Sequence, residues 1–363
     1  MIAILQVLLI IIAVLLFGFM IFIHEFGHFF TAKLCGIRVN EFAIGMGPVL
    51  AHFQKGDTKY SFRLFPIGGF CAMEGEQGED GEKSVDEHAF FNKPVWQRML
   101  VVVMGAVMNV IFGLVLMMIL LSQQQAFNST TIAQFTKNSA FQAAGMKVGD
   151  TFVSFDHYRI YGDKDLSFAI ATANPSSVDI AVNRGGKEID FHNVKLNSRK
   201  IQGKNYVSFD FYVEAIPKNL GTLLMKTGQD TVSVVRLVWY SLVGLLTGKF
   251  GFNEMAGPIG AADAVGQAMT VGLKQSFLSG LNNVIYIMMM FTVNLGVFNL
   301  IPFPALDGGK LFLFLIEAIR RKPLNEKYVG VVETAGFALL MIFALVVTYS
   351  DILRLVTGKG LGG

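Results

Sequence analysis

Long apolar runs separated by short polar breaks dominate this chain. Ile2–Ile23 is apolar throughout except for Gln6. At roughly 1.5 Å per residue, a helix of that length extends about 33 Å and crosses the hydrocarbon core of a bilayer. Met99–Leu121, Asn282–Pro302 and Tyr328–Tyr349 repeat the pattern, so four spans are predicted. The first lacks a basic leader and a small-residue cleavage site, and is read as a retained span rather than a signal peptide. The third is less pure and runs into a turn rich in proline.

Between the spans the period changes. In residues 32–98, VLAHFQ and KYSFRLF flank KGDT, which predicts a hairpin with a glycine-containing turn. Tyr60, Phe62 and Leu64 alternate with Ser61 and Arg63, and PIGGF breaks the strand. Gly45 and Gly47 in EFAIGMGP suit a tight re-entrant turn. EGEQGEDGEKSVDE then reads as an acidic loop. Residues 122–219 hold short β-like runs (TFVSF, VDIAVNR, EIDFHNVKL, YVSFDFYV), a helix-like DLSFAIATA and turn signals such as NRGGK. FQAAGMKVGD precedes the first of these strands. This region resembles the PDZ domain in the circularly permuted form of bacterial envelope proteases, with Ser139-Ala140-Phe141 where that family often has proline. The resemblance implies a peptide-accepting strand edge; a spacer domain with a blocked groove is the alternative. Residues 220–256 begin as a semi-apolar run interrupted by Lys226, Asp230 and Arg236. It predicts a helix lying on the membrane surface with Trp239 and Tyr240 near the headgroups, or else a fifth span over Val232–Leu246.

Composition agrees with a membrane protein. Hydrophobic residues make up 53% and charged residues only 16% of the 363 positions, against about 25% charged in soluble chains. Mean hydropathy is +0.51. A net charge of +3 is too small and too dispersed for a nucleic-acid partner. Cys35 and Cys71 imply no disulfide framework. Arg320, Arg321, Lys322 and Lys327 lie between spans three and four, and Lys33, Arg38, Lys55, Lys59 and Arg63 in the first loop. By the charge rule for short loops, these loops are cytosolic, and both termini and residues 122–220 lie outside.

Ionisable groups at membrane depth are costly and mark function. His24 and His28 in IFIHEFGHFF are four apart, hence on one helix face about 5–6 Å from each other. That spacing suits two imidazoles on one Zn²⁺, with Glu25 beside the water such an ion would carry. A catalytic zinc needs a third protein ligand and an open position. Asp307 in NLIPFPALDGGK is the candidate: Pro302 and Pro304 interrupt the helix before it, and Gly308 and Gly309 permit close backbone approach. Fe²⁺ or Co²⁺ could occupy such a site in vitro. Gly105 and Asn109, at helical spacing in GAVMN, are read as packing the spans together.

HEFGH, GMG, GAVMN, the PDZ-like insert, GPIG and NLIPFPALDGG occur here in the order seen in the site-2 protease family. Across nearly its whole length the chain resembles the bacterial RseP-like intramembrane zinc metalloproteases with a single PDZ insert. The resemblance implies His24, His28 and Asp307 as zinc ligands and Glu25 as general base. It implies a re-entrant hairpin, here about 45–70, offering an edge strand to substrate, with Tyr60, Phe62, Gly68 and Gly69 as its contact residues. Asn294 and Asn299 would bind or unwind a substrate helix; helix–helix hydrogen bonding is the alternative. The implied partners are the lipid bilayer, an upstream site-1 type protease, and single-span substrates such as an anti-sigma factor or a signal-peptide remnant, in a bacterial cell membrane. A zinc transporter and a non-catalytic adaptor are the rival classes. The former needs polar groups along a path, whereas here they sit at one level.

The expected fold is thus a polytopic α-helical membrane protein with four transmembrane helices, a cytosolic-side re-entrant β-hairpin and one extracytoplasmic PDZ-like α+β domain. The expected boundaries are 1–31 for the first helix with HExxH, 32–98 for the hairpin loop and 99–121 for the second helix. Residues 122–219 form the insert, 220–256 the surface helix, 257–319 the third transmembrane region with LDG, and 320–363 the basic loop and fourth helix.

Overall fold

A computed structural model describes residues 2–76, 86–201, 204–248, 257–322 and 324–357. Most of the acidic loop falls outside the described residues. The chain forms two compact units, Met1–Leu116 with Gly251–Gly362, and Met117–Phe250.

The first unit is built on apolar helices. α1 (Ile2–Leu34) continues well past Ile23, so HEFGH lies inside a helix and not at its end. α2 (Val95–Ser122), α7 (Phe277–Asn299) and α9 (Glu326–Thr357) contain the other long apolar segments. Among the described residues four helices are long and apolar enough to cross a membrane, and a larger share of α2 and α7 than of α1 or α9 is buried. α6 (Pro258–Leu273) is a separate helix that the apolar pattern did not distinguish. Its first turn is capped from far along the chain. Asp351 on α9, 2% exposed, accepts hydrogen bonds from the N–H groups of Gly257 (3.2 Å) and Gly260 (2.8 Å). A carboxylate there complements the positive helix end, and proline at the first helical position loses no needed donor. α7 ends at Asn299, three residues before the expected end of span three at Pro302, and a new helix, α8 (Asp307–Arg320), starts after the proline turn.

The loop after α1 is more than a hairpin. β1 (Val39–Lys55) and β2 (Thr58–Met73) curl so that Glu41, Phe42, Ala43 and Ile44 each have two partners. Gly69, Phe70, Cys71 and Ala72 lie on one side of them and Lys59, Tyr60, Ser61 and Phe62 on the other. Residues 59–62 also pair with 51–54. This corrects the expectation that Tyr60 and Phe62 present a free edge: their run is internal, and the Tyr60 ring stacks on Phe53 at 4.9 Å. Among the described residues the sheet has two edges, residues 51–54 of β1 and the run from Gly69 to Met73 at the other end of β2, and the second is the one beside Glu25.

The second unit holds the insert. β3 (Ala126–Phe135), β4 (Thr151–Phe155), β6 (Val178–Arg184), β7 (Lys187–Val194) and β10 (Phe211–Pro217) form a sheet in the order β10-β3-β4-β6-β7, with β5 (Tyr158–Arg159) on β4. β8 (Ser198–Ile201) and β9 (Lys204–Val207) pair separately, so YVSFDFYV is two strands broken at Ser208–Asp210. α3 (Ala140–Ala143) and α4 (Asp163–Thr172) complete the domain. Phe141 is fully buried and packs edge-on to Phe211 at 4.9 Å.

α5 (Leu220–Leu246) turns its interrupting polar residues toward this insert. Lys226 hydrogen-bonds Asp163. Ser233 Oγ donates to Asp165 (3.0 Å), and Arg236 pairs with the same carboxylate (3.0 Å). Met225, Val232, Trp239 and Leu246, spaced by seven, are exposed. Tyr240 packs against Tyr158 at 5.1 Å, so only Trp239 of the expected aromatic pair faces outward.

Truncating Phe141 to alanine is expected to cost about 3–5 kcal/mol of the insert's stability. Hydrogen exchange of β4 and β10 amides in the full-length protein measures it; undiminished protection rules out the central place given to this ring.

Candidate metal centre

α1, α2, α7 and α8 converge on His24. Nε2 of His24 and Nε2 of His28 lie 3.2 and 3.4 Å from Asp307 Oδ2, and 3.3 Å from each other. Both imidazoles are buried. Asp307 Oδ2 is itself buried and has no hydrogen-bond partner among the described residues. Four ligands at about 2.0–2.1 Å around a tetrahedral ion lie about 3.3 Å apart. The spacing and the N,N,O donor set therefore fit one divalent cation, and the orphaned oxygen is the atom such an ion would satisfy.

Close helix packing makes this possible. A Cβ on Gly27 would meet the Met104 carbonyl oxygen at 2.3 Å. A Cβ on Gly105 would lie 2.5 Å from the His28 ring and 2.8 Å from that of His24. Only a bare backbone lets α2 come this near. One face of α2, spaced by four, then serves both rings. The Val101 carbonyl lies 2.9 Å from His28 Nδ1, and the Asn109 amide lies 3.1 Å from His24 Nδ1. A histidine that gives Nε2 to a metal keeps its proton on Nδ1 and donates it to an orienting acceptor. Val101 O supplies that acceptor for His28. For His24 a half-turn of the Asn109 amide would present Oδ1 as that acceptor; Nδ2 faces the ring in the structure, and Oδ1 has no hydrogen bond among the described residues. Thr292 Oγ1 on α7 donates to the Asn109 carbonyl at 3.1 Å. Gly105 and Asn109 do more than pack the spans together: they lie directly against the two imidazoles. Their spacing of four from Val101 was the available signal, but packing and orientation look alike in a sequence.

The remaining candidates separate. Asn299, the last residue of α7, places its amide nitrogen 3.3 Å from His24 Nε2. Asn294 takes no part in these hydrogen bonds. Glu25, half-buried, projects beside the pair toward β2: a Cβ on Gly69 would lie 3.3 Å from Glu25 Cγ. This edge of the sheet thus passes beside Glu25. Gly68 (φ +89°) faces Met46 instead. Tyr60 and Phe62 are inside the sheet. α8 is fixed further along by Arg98 on α2, which is 4% exposed and clasps Glu317 through two contacts of 2.6 and 3.2 Å. A two-pronged guanidinium–carboxylate pair constrains direction as well as distance.

A bundle of membrane-crossing helices enclosing a His–His–Asp cluster, with a glutamate beside it and a sheet edge alongside, defines a membrane-embedded metalloprotease. The chain matches the model for peptidase family M50 over residues 12–343 and belongs to that family, the site-2 proteases. It is a zinc metalloprotease of the site-2 type. The Bacillus subtilis regulator of sigma-W protease RasP is 29% identical to it over 94% of this chain and 97% of its own length. The zinc metalloprotease RasP of Shouchella clausii is 28% identical over 94% and 97%. A Clostridium acetobutylicum chain provisionally named a zinc metalloprotease is 36% identical over 94% and 97%.

Replacing Asn109 with leucine is expected to weaken zinc binding about 10–100-fold, read by competition with a chelator. Gly105→Val should abolish binding, because its side chain would overlap both rings. Native zinc affinity in either variant would refute the support role of α2.

Proposed function

We propose that this chain hydrolyses peptide bonds within single-span membrane proteins, with His24, His28 and Asp307 holding one zinc ion and Glu25 acting as general base. The observation that carries the proposal is the convergence of three ligand atoms at 3.2–3.4 Å in a buried space. When bound there, zinc acts as a Lewis acid and lowers the pKa of a water from about 15.7 toward 7. Glu25 follows His24 by one residue, about 100° around the helix, so its carboxylate stands beside the ligands and not among them. It accepts the proton of the attacking water and returns it to the leaving amine. Asn299 directs an amide N–H into the same space and would donate to the substrate's carbonyl oxygen.

A helical substrate hides its amides in hydrogen bonds and must be extended first. The open run Gly69–Met73 offers main-chain partners for an added strand, and Gly69 lies against Glu25. Gly68 and Gly69 would receive the substrate; Tyr60 and Phe62 would brace the sheet from within, and Asn294 the helix. The insert would act outside the cell as a PDZ-like filter, admitting substrates already shortened by a site-1 type protease. The exposed row Met225, Val232, Trp239 and Leu246 supports a helix resting on the membrane surface. The name of the Bacillus subtilis relative supports an anti-sigma factor as the substrate class; signal-peptide remnants have the same single-span form. The site's place in a bacterial cell membrane, with both termini and the insert outside, rests on the loop charges.

Glu25→Gln should keep its zinc and lower turnover of a single-span model substrate about 10²–10⁴-fold. Full cleavage by the variant rejects the mechanism and favours an adaptor. In cells, a reporter fused after Gly363 should read as external, and deleting residues 127–215 should increase cleavage of an untrimmed substrate. A cytosolic reporter overturns the orientation; unchanged cleavage overturns the filter.

A further inference from the structure

Lys310 in the first turn of α8 donates to Glu76 Oε1 at 2.8 Å. Glu76 lies three residues beyond the end of β2. This contact completes a circuit around the candidate site. The path runs from Glu25 on α1 to Gly69 on β2, along the open edge to Glu76, across to Lys310, one turn back along α8 to Asp307, and home to His24 and His28. Cys71 and Met73 of the edge that would take an extended substrate share one apolar cluster with Leu311 and Phe314 of the helix that bears the third ligand, and this ion pair is the charged link between the near ends of the two elements. The clasp between Arg98 and Glu317 holds α8 seven residues further on, about 10 Å away along the helix axis.

We infer that Lys310 and Glu76 are positioning residues that set the width of the gap between the β2 edge and the start of α8. The inference rests on the proteolytic reading above. Magnitudes favour positioning over stability. The Lys310 and Glu76 side chains are 36% and 21% exposed, and a partly exposed pair contributes about 1 kcal/mol or less to folding. A strand added to β2 lies about 4.8 Å from it, so the gap fixes where the scissile amide falls relative to Glu25 and Asp307. Misplacing reacting atoms by about 1 Å costs on the order of 10²-fold in rate.

The test uses purified full-length protein, a single-span model substrate, and the variants Lys310→Met, Lys310→Arg, Glu76→Gln and the exchange Lys310→Glu with Glu76→Lys. Lys310→Met and Glu76→Gln should lower kcat about tenfold with KM changed less than about twofold. Zinc content and the thermal unfolding profile should not change. Lys310→Arg and the exchange should restore most of the loss. An unchanged kcat, a fall that follows zinc loss, or a fall the exchange does not repair overturns the inference; so does faster cleavage, which would make the pair a bar to entry. A second measurement needs no proteolysis. In a Glu25→Gln, Cys35→Ser background, Cys71 on the open edge is buried, and Lys310→Met should speed its alkylation severalfold. Unchanged alkylation also overturns the inference, whereas a wild-type protein that fails to cleave overturns only the proteolytic reading.

Discussion

Three atoms rich in lone pairs face one another across little more than 3 Å in a space walled by apolar helices. Two imidazole nitrogens and a carboxylate oxygen repel at that distance, and the low dielectric around them amplifies the repulsion. A positive charge among them turns the arrangement from costly to favourable. The rest of the first unit follows from that requirement. Its helices must approach closely enough to bring the donors together, and each ring must be held so that the correct nitrogen faces inward.

Glycine and asparagine on α2 meet both needs. Gly105 removes the side chain that would fill the ligand space, and Asn109 and the Val101 carbonyl turn the rings. On α8 the same logic appears at Gly308, where a Cβ would meet the Ile301 carbonyl oxygen at 2.2 Å. The helix bearing Asp307 can therefore start directly against the turn that precedes it. In each case catalytic geometry depends on atoms that are missing as much as on those present.

Local chemistry was readable where the pattern is short. HEFGH reports its own geometry, because four residues make about one helical turn. Asp307 was readable because prolines and glycines mark an interruption at membrane depth. Hydropathy was a poorer guide to helix ends: α1 runs on to Leu34 through polar residues, since apolar length reports the thickness of lipid and not the extent of hydrogen bonding. The curled sheet was not readable. Alternation along KYSFRLF fixes which side chains share a face, but it does not reveal that residues 41–44 have neighbours on both sides. β3 was missed because Asn128, Ser129, Thr130 and Thr131 give it no apolar alternation. α6 was missed because its cap is Asp351, 94 residues away from Gly257.

His24 and Asn299 meet across 275 residues of sequence, and Asp307 comes later still. At about 5–20 residues per second of synthesis, the imidazoles reach the bilayer roughly 15–55 s before the carboxylate that completes their cluster. The first helix must therefore wait, half-assembled, while the sheet, the insert and four further helices emerge. With the ligand set proposed above, a nascent chain would be unable to hydrolyse anything until nearly its whole length had been made, and the order of the ligands along the polypeptide would spare neighbouring membrane proteins from an unfinished protease.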